Sequence, residues 1–292
     1  MKKALIYYGY PSCINEYYDI NKAINSFKNY DLIVFPGSKR SFKSIEFESH
    51  EDHEKSKTII KNLKNESFGY IACGNRDFDS HWTLKEINKL INLWKEMGVY
   101  GIFLDEFGND YGNDDDRRKQ IIDLVHENKL SVIMNVWNPD DVFKNLKTST
   151  WKSDYYLLES FSFYANGEVT LYQTEEMIFE RIIKLQEYKK KYDFQILGID
   201  TFGFDFEIIK EEFLNTSLKL ANFLSLDAYG VSKKDYHILD TKLIDFNLKN
   251  MNFNKTFKLK KSFGKYKRTD LKGKYIKWKN GKFGGIPIEI KI

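Results

Sequence analysis

Tyr100-Gly101-Ile102-Phe103-Leu104-Asp105-Glu106 decides how this chain is read. A short, mostly apolar run that ends at once in two carboxylates predicts a strand buried on both faces with acid at its C-terminal end. Upstream, Leu84, Ile87, Leu90, Ile91 and Trp94 recur at spacings of three and four, which predicts a helix with one apolar face. Thr83 and Glu86 carry the spacing of a capping box, and Gly98 stops that helix. Downstream, Asp114, Asp115 and Asp116 precede a helical stretch near Arg117–Asn128. Carboxylates suit the positive end of a helix dipole, so capping is the expected role of that triplet.

The same alternation extends in both directions. Ala4–Tyr8, Leu32–Phe35, Phe68–Cys73, Val132–Val136, Tyr155–Leu158, Phe194–Ile199 and Phe223–Leu226 join Tyr100–Leu104 as strand candidates. Helical segments are expected around Asn21–Phe27, Glu54–Leu63, Glu175–Lys190 and Ile208–Leu220, and only a short helix within 139–150. Eight strand–helix repeats over about 235 residues predict an α/β fold, a (β/α)8 TIM barrel rather than an open sheet. The barrel is expected to occupy residues 1–240. From about residue 241 to 292 lysines alternate with apolar and aromatic residues, and Asn280-Gly281 separates Tyr275–Trp278 from Ile286–Ile290. That pattern predicts a small C-terminal antiparallel β appendage packed on the barrel.

Composition narrows the function classes. Hydrophobic residues make up 42% and charged residues 30%, which is globular rather than disordered. Aromatic residues reach 16%, and for each ring a place in the core competes with a place against a sugar face in a cleft. The spacing of Cys13 and Cys73 fits no metal knuckle or redox motif, and both are expected to be small buried residues. No H-E-x-x-H, Walker loop or G-x-G-x-x-G fingerprint is present, so neither a metal nor a cofactor is expected. The apolar run after Met-Lys-Lys is too short for a signal peptide, and no stretch has the length of a membrane helix. The protein is expected in the cytoplasm as written, or secreted if its N-terminus is a processed one. Residues 241–292 hold 15 Lys and Arg against three Asp and Glu, while the remainder holds 31 against 39. Such a basic tail reads either as a solvated Lys-rich sheet or as a surface for an anionic partner.

Barrel enzymes carry their chemistry at the C-terminal ends of strands. By the strand candidates above, those ends are Asp105-Glu106, Glu159, Asp200, Asp227 and Asn135, with Tyr8 and Tyr10 after the first strand and Arg76 after the third. A single carboxylate at such a place is as readily a helix cap. Several together point to acid/base work or to a bound cation. Two carboxylates across a groove are the minimal apparatus of glycoside hydrolysis.

Phe68-Gly69-Tyr70-Ile71-Ala72-Cys73-Gly74-Asn75-Arg76, followed by the stretch from Gly98 to Glu106, resembles the spherulin-4-like glycosidases and the neighbouring endo-α-1,4-polygalactosaminidase families. Tyr7-Tyr8-Gly9-Tyr10-Pro11 looks like their first strand, Val132–Asn135 is similar to a later one, and the closing hairpin Tyr275–Ile290 also has a counterpart. After strand five Asn138-Pro139 replaces a Gly-rich continuation. The resemblance implies a retaining, endo-acting hydrolase of α-1,4-linked galactosamine polymers. It implies Asp105 as nucleophile, Glu159 as general acid/base, Glu106 as a further acidic contact, and Arg76 as a partner orienting the acids. Tyr8, Tyr10, Asn135, Asp200, Asp227 and Tyr229 are expected cleft contacts. The expected partner is a carbohydrate polymer or glycoconjugate. The competing readings are another glycan-processing reaction in the cytosol and a glycan-binding barrel without turnover. A nucleic-acid partner is least favoured, because the barrel face is acidic and no binding motif accompanies the basic tail.

Overall fold

A computed structural model of the chain describes residues 1–37, 44–74, 82–203, 206–248, 257–262, 265–270, 275–278 and 288–291. In chain order its elements are β1 (Lys2–Ile6), α1 (Ile20–Phe27), β2 (Leu32–Phe35), α2 (His53–Lys61), β3 (Glu66–Ala72), α3 (Leu84–Met97), β4 (Gly101–Asp105), α4 (Asp115–Glu127), β5 (Ser131–Asn135), α5 (Pro139–Phe143) and β6 (Tyr155–Glu159). There follow β7 (Phe163–Asn166), β8 (Val169–Tyr172), α6 (Glu175–Tyr188), β9 (Gln195–Phe202), α7 (Phe206–Phe223), β10 (Ala228–Lys233), β11 (Phe257–Ser262), β12 (Lys265–Asp270), β13 (Tyr275–Trp278) and β14 (Ile288–Lys291). Strands β1 to β6, β9 and β10 pair in parallel and close into a barrel, β1 bonding to both β2 and β10. This is the expected (β/α)8 architecture.

Successive side chains on a strand point to opposite faces, so each strand feeds two cores. Ile6, Val34, Phe68, Phe103, Leu157 and Leu197 fill the barrel interior. Their neighbours Leu5, Ile33, Ile71, Leu104 and Tyr156 pack beneath the helices. That explains the near-continuous apolar strands. The floor of the barrel is polar: Lys2 Nζ lies 2.5 Å from Glu66 Oε1 and 2.8 Å from the Tyr155 hydroxyl, which itself donates to Glu66 Oε2 at 2.7 Å.

Local signals place the helices as read. The Glu86 amide donates to Thr83 Oγ1 at 3.2 Å, and the Thr83 amide donates to Glu86 Oε2 at 2.7 Å, closing the capping box on α3. Gly98 ends that helix with φ 90°. Asp114 caps α4 by accepting from the Arg117 amide at 2.7 Å. The segment at 139–150 holds the five-residue α5.

Two features differ from the expectation. Phe223–Leu226 is the end of α7 and the turn after it, and the eighth barrel strand is Ala228–Lys233. Phe223, Leu224 and Leu226 are apolar because they are buried beneath the helix layer. A short apolar run does not distinguish that placement from a strand. The other difference is the antiparallel hairpin β7–β8 between β6 and α6. Its two-residue turn starts with Gly167 at φ 62°, a backbone position glycine adopts without steric cost.

Among the described residues no α-helix follows β10. Instead the chain runs back along β1: Thr241 accepts from the Asn15 amide at 3.0 Å, the Leu243 amide donates to Asn15 Oδ1 at 2.9 Å, and Ile244 and Phe246 are buried. Beyond it, β11 to β14 form a four-stranded antiparallel sheet. Asn280-Gly281 lies outside the described residues, and the strands on either side of it pair from Tyr275–Lys291 to Trp278–Ile288. Cys73 is buried, Cys13 is only half-buried, and both are free thiols.

Candidate active site

Strand alternation decides what reaches the mouth of the barrel. Phe103 faces inward, and so does Asp105 two residues on. By the same count Ile133 leads to Asn135, Leu157 to Glu159, and Ile6 to Tyr8. These four line a cleft of about 770 Å³ at the C-terminal end of the strands.

Asp105 is held on both oxygens. Oδ2 accepts from the Tyr70 hydroxyl at 2.7 Å and Oδ1 from Asn135 Nδ2 at 2.8 Å. Glu159 is held likewise, with Oε1 accepting from the Tyr236 hydroxyl at 2.5 Å and Oε2 from the same Asn135 Nδ2 at 3.1 Å. One amide thus bridges two carboxylates, whose bonded oxygens stand less than about 6 Å apart. That fits the spacing of retaining pairs (about 5–5.5 Å) rather than inverting ones (about 6.5–9.5 Å).

Burial and the charge of Glu159 push Asp105 up to about 6, against the pull of Tyr70, Asn135 and the Glu106 amide. Burial raises Tyr8, Tyr70 and Tyr236 well above the ordinary tyrosine range, helped by Asp105 at all three, by Glu159 at Tyr8 and Tyr236 and by Glu106 at Tyr70, which keeps all three phenols protonated. The Tyr8 ring meets Tyr70 at 5.4 Å and Tyr236 at 5.1 Å, so three phenols fence the acid pair.

Glu106 follows Asp105 at φ 53° and lines the cleft, its carbonyl accepting from Asn113 Nδ2 at 2.7 Å. Gly74 makes that turn possible, since a Cβ there would lie 2.5 Å from the Glu106 Cβ. At the rim Trp137 is 46% exposed, with the Arg181 guanidinium 4.5 Å from its ring. Arg181 is buried, and donates to the carbonyls of Glu159 at 3.2 Å and Ser160 at 3.4 Å. Among the described residues no three His, Cys, Asp or Glu side chains converge to hold a metal ion.

The structure brings Asp105, Glu106, Glu159, Tyr8 and Asn135 to the cleft and leaves four expected contacts elsewhere. Tyr10 lies outside the lining, its ring edge-on to His50 at 5.0 Å. Asp200 is out of phase with the inward positions of β9. Fully buried behind the barrel, it accepts from the Ser162 amide at 2.7 Å, Ser217 Oγ at 2.7 Å and the Tyr229 hydroxyl at 2.8 Å. Tyr229 is buried in that same outer layer. Asp227 precedes β10 instead of ending a strand, so it sits at the opposite end of the barrel, 3.0 Å from Lys189 Nζ and from the Ile196 amide. Arg76 lies outside the described residues.

Tyr70, Trp137 and Tyr236 are site residues that the strand ends alone did not single out. Alternation flags Tyr70, two residues from Phe68 on the inward face, and Trp137, two from Asn135. Tyr236 has no such signal. It sits in a turn where Asp235, Tyr236 and His237 have φ 54°, 52° and 71°, each at a steric cost of about 1–2 kcal/mol. The Tyr236 carbonyl accepts from the Tyr8 amide at 2.7 Å. Burial holds the His237 imidazole down at about 4, hence neutral, with Nδ1 3.0 Å from the Asp240 carbonyl.

Fold and cleft together define a (β/α)8 barrel with a two-carboxylate site at its mouth. No family model matches the sequence, and no curated protein matches it. Among solved structures, the glycoside hydrolase domain of PelA from Pseudomonas aeruginosa is similar, with a TM-score of 0.51 at 11% identity over 83% of this chain and 99% of that one. A single-substitution variant of that domain aligns with a TM-score of 0.52 at 10% identity, over the same shares of the two chains. At such identity the likeness is one of fold.

Proposed function

We propose that this chain is a retaining glycoside hydrolase that cuts an amino-sugar polymer of galactosamine type at internal linkages. The observation that carries the reading is the Asn135 amide shared by Asp105 and Glu159. Asp105 attacks the anomeric carbon while Glu159 gives its proton to the departing glycosidic oxygen. Glu159 then takes a proton from water, which displaces Asp105 and restores the anomeric configuration. Tyr70 and Asn135 fix the nucleophile on both oxygens, which limits its freedom to a near-attack position. Among the described residues the cleft lining carries five carboxylates, Asp105, Glu106, Asp110, Glu159 and Asp235, against one ammonium, Lys234. Such a field draws a cationic amino-sugar chain. The fold shared with a glycoside hydrolase domain supports the class. The resemblance of Phe103–Glu106 to the spherulin-4-like and polygalactosaminidase families supports the substrate.

One observation favours a second division of roles. A carboxyl pushed up to about 6 keeps its proton longer than an ordinary aspartate, which suits a general acid and would leave the attack to Glu159.

The test is release of new reducing ends from amino-sugar polymers, including partly deacetylated galactosaminogalactan. Wild type cleaves, and Asp105→Asn and Glu159→Gln each lose about a thousandfold or more with unchanged circular dichroism. Trapping with a slow glycosyl fluoride, followed by peptide mass mapping, places the sugar on Asp105. A label on Glu159 would exchange the two roles. Saturable binding without cleavage, surviving both substitutions, would make this a glycan-binding barrel instead.

A further inference from the structure

The charge surplus after residue 240 takes no part in the cleft, and strand register gives it a location. In the β11–β12 pair Leu259 stands opposite Arg268 and Lys260 opposite Lys267. In the β12–β13 pair Arg268 stands opposite Ile276 and Lys267 opposite Lys277. Cross-strand partners share a face and neighbours along a strand alternate. One face therefore holds the positions of Phe257, Leu259, Tyr266, Arg268, Ile276 and Trp278, with Lys261 and Asp270 towards its strand ends. The other holds Lys258, Lys260, Lys265, Lys267 and Lys277, and β14 adds Lys291 and one acid, Glu289.

Two contacts settle which face meets the barrel. Leu259 packs against the core beneath the helices. Arg268 is buried, with Nη1 3.3 Å from the Asn222 carbonyl and also bonded to that of Phe223, at the C-terminal end of α7. A cation suits that end of a helix. The lysine positions belong to the face turned away from these contacts.

Lys260, Lys267 and Lys277 form one row across three strands. Glu289 on β14 stands opposite Lys277, yet Lys260 and Lys267 stand opposite each other; like charges so placed destabilise a sheet, so folding alone does not account for the row. An anionic partner does. We propose that this face docks the protein on the surface of an anionic phospholipid bilayer.

The geometry favours a plane over a chain. Neighbouring strands lie about 4.8 Å apart, and same-face positions along a strand about 6.8 Å apart, so the five lysines form a two-dimensional grid. A flat surface meets every point of the grid at once, whereas a linear polyanion follows one row. The residue type agrees. The face has lysine and no arginine, and lysine acts as a point charge rather than a bidentate phosphate fork. Clusters of four to eight basic residues bind anionic lipid in this way, each residue adding roughly fivefold. Barrel helices run antiparallel to the strands, so the end of α7 that Arg268 caps lies away from the cleft. Docking there leaves the cleft open to the solution. The proposal stands whether or not the hydrolase reading does.

The test is co-sedimentation of the full chain with vesicles of phosphatidylcholine alone or mixed with phosphatidylglycerol. The chain should sediment only with the anionic vesicles, and added salt should release it. Lys260→Glu, Lys267→Glu and Lys277→Glu combined should weaken binding by about tenfold or more. The milder set Lys260→Gln, Lys267→Gln and Lys277→Gln, which relieves repulsion within the sheet, should weaken it as well. Equal charge reversal at Lys55, Lys61 and Lys119, on α2 and α4, should leave binding unchanged. The proposal is overturned if wild type ignores anionic vesicles or if the control set weakens binding as much as the row does. It is also overturned if the chain binds single-stranded nucleic acid or polyphosphate while ignoring vesicles.

Discussion

Asp105 and Glu159 are hydrogen-bonded to one nitrogen, the Asn135 amide, which lies 2.8 Å from the first and 3.1 Å from the second. Burial, and then the neighbouring charge of Glu159, push Asp105 up to about 6. On the proposed mechanism Asp105 is the nucleophile and must be ionised, so kcat/KM should fall as the pH drops through about 6. Were Asp105 the proton donor, activity would instead persist below that value and fall above it. The Asn135 bond favours the charged form of Asp105, so Asn135→Ala should move the acid limb to higher pH. It should also cost about 10–100-fold in kcat/KM at neutral pH, the worth of a hydrogen bond to a charged group. A pH profile of the variant that overlays wild type would show that the amide does not couple the two acids.

Tyr236 reaches Glu159 from the turn after β10, and its ring also rests 5.1 Å from Tyr8. Tyr236→Phe keeps the ring and removes only the hydroxyl. We expect kcat to fall about 10–100-fold with KM nearly constant, because on the proposed mechanism the lost bond acts on the group that moves a proton and not on substrate affinity. A change confined to KM would place Tyr236 among the sugar contacts.

Trp137 lines the cleft, and the Arg181 guanidinium lies over its ring at 4.5 Å. A ring that is held by a cation and still exposed is a ready platform for a sugar. Trp137→Ala should raise KM about three- to tenfold and leave kcat close to wild type, the pattern of binding lost equally in ground and transition states. Equal losses in kcat would mean that Trp137 positions the scissile bond itself.

The barrel was legible because parallel strands buried on both faces leave continuous apolar runs, and the acids that end β4 and β6 follow those runs directly. The errors came from register. Asp200 differs from an inward position by one residue, and a one-residue change in phase moves a side chain to the other face. Asp227 was misplaced because the apolar turn before it imitates a strand. Tyr236 depends on a left-handed turn that no local pattern announces. Asp227 should accordingly act on stability and not on turnover. Asp227→Ala removes the acceptor of the Ile196 amide and of Lys189. It should cost about 1–3 kcal/mol in urea denaturation and leave kcat unchanged. A matching loss of kcat would contradict its placement at the barrel floor.

The acid pair also sets a cost on the fold. Asp105 ionises at about 6 in the native chain against an ordinary 3.8, so the folded state holds that proton more tightly than the unfolded state does. Its contribution to stability is present at low pH and is lost as pH rises from about 4 to about 6. Asp105→Asn removes the charge while keeping the shape, and its amide can still pair with Tyr70 and Asn135. At neutral pH the variant should therefore be more stable than wild type by about 1–2 kcal/mol, after allowance for solvent in the cleft. Below about pH 4, where wild type is protonated in both states, the gain should vanish. Thermal denaturation of both proteins across that range decides the matter. A gain independent of pH would trace the effect to packing, whereas a gain that appears between about 4 and 6 would show that the site keeps a charge the fold disfavours.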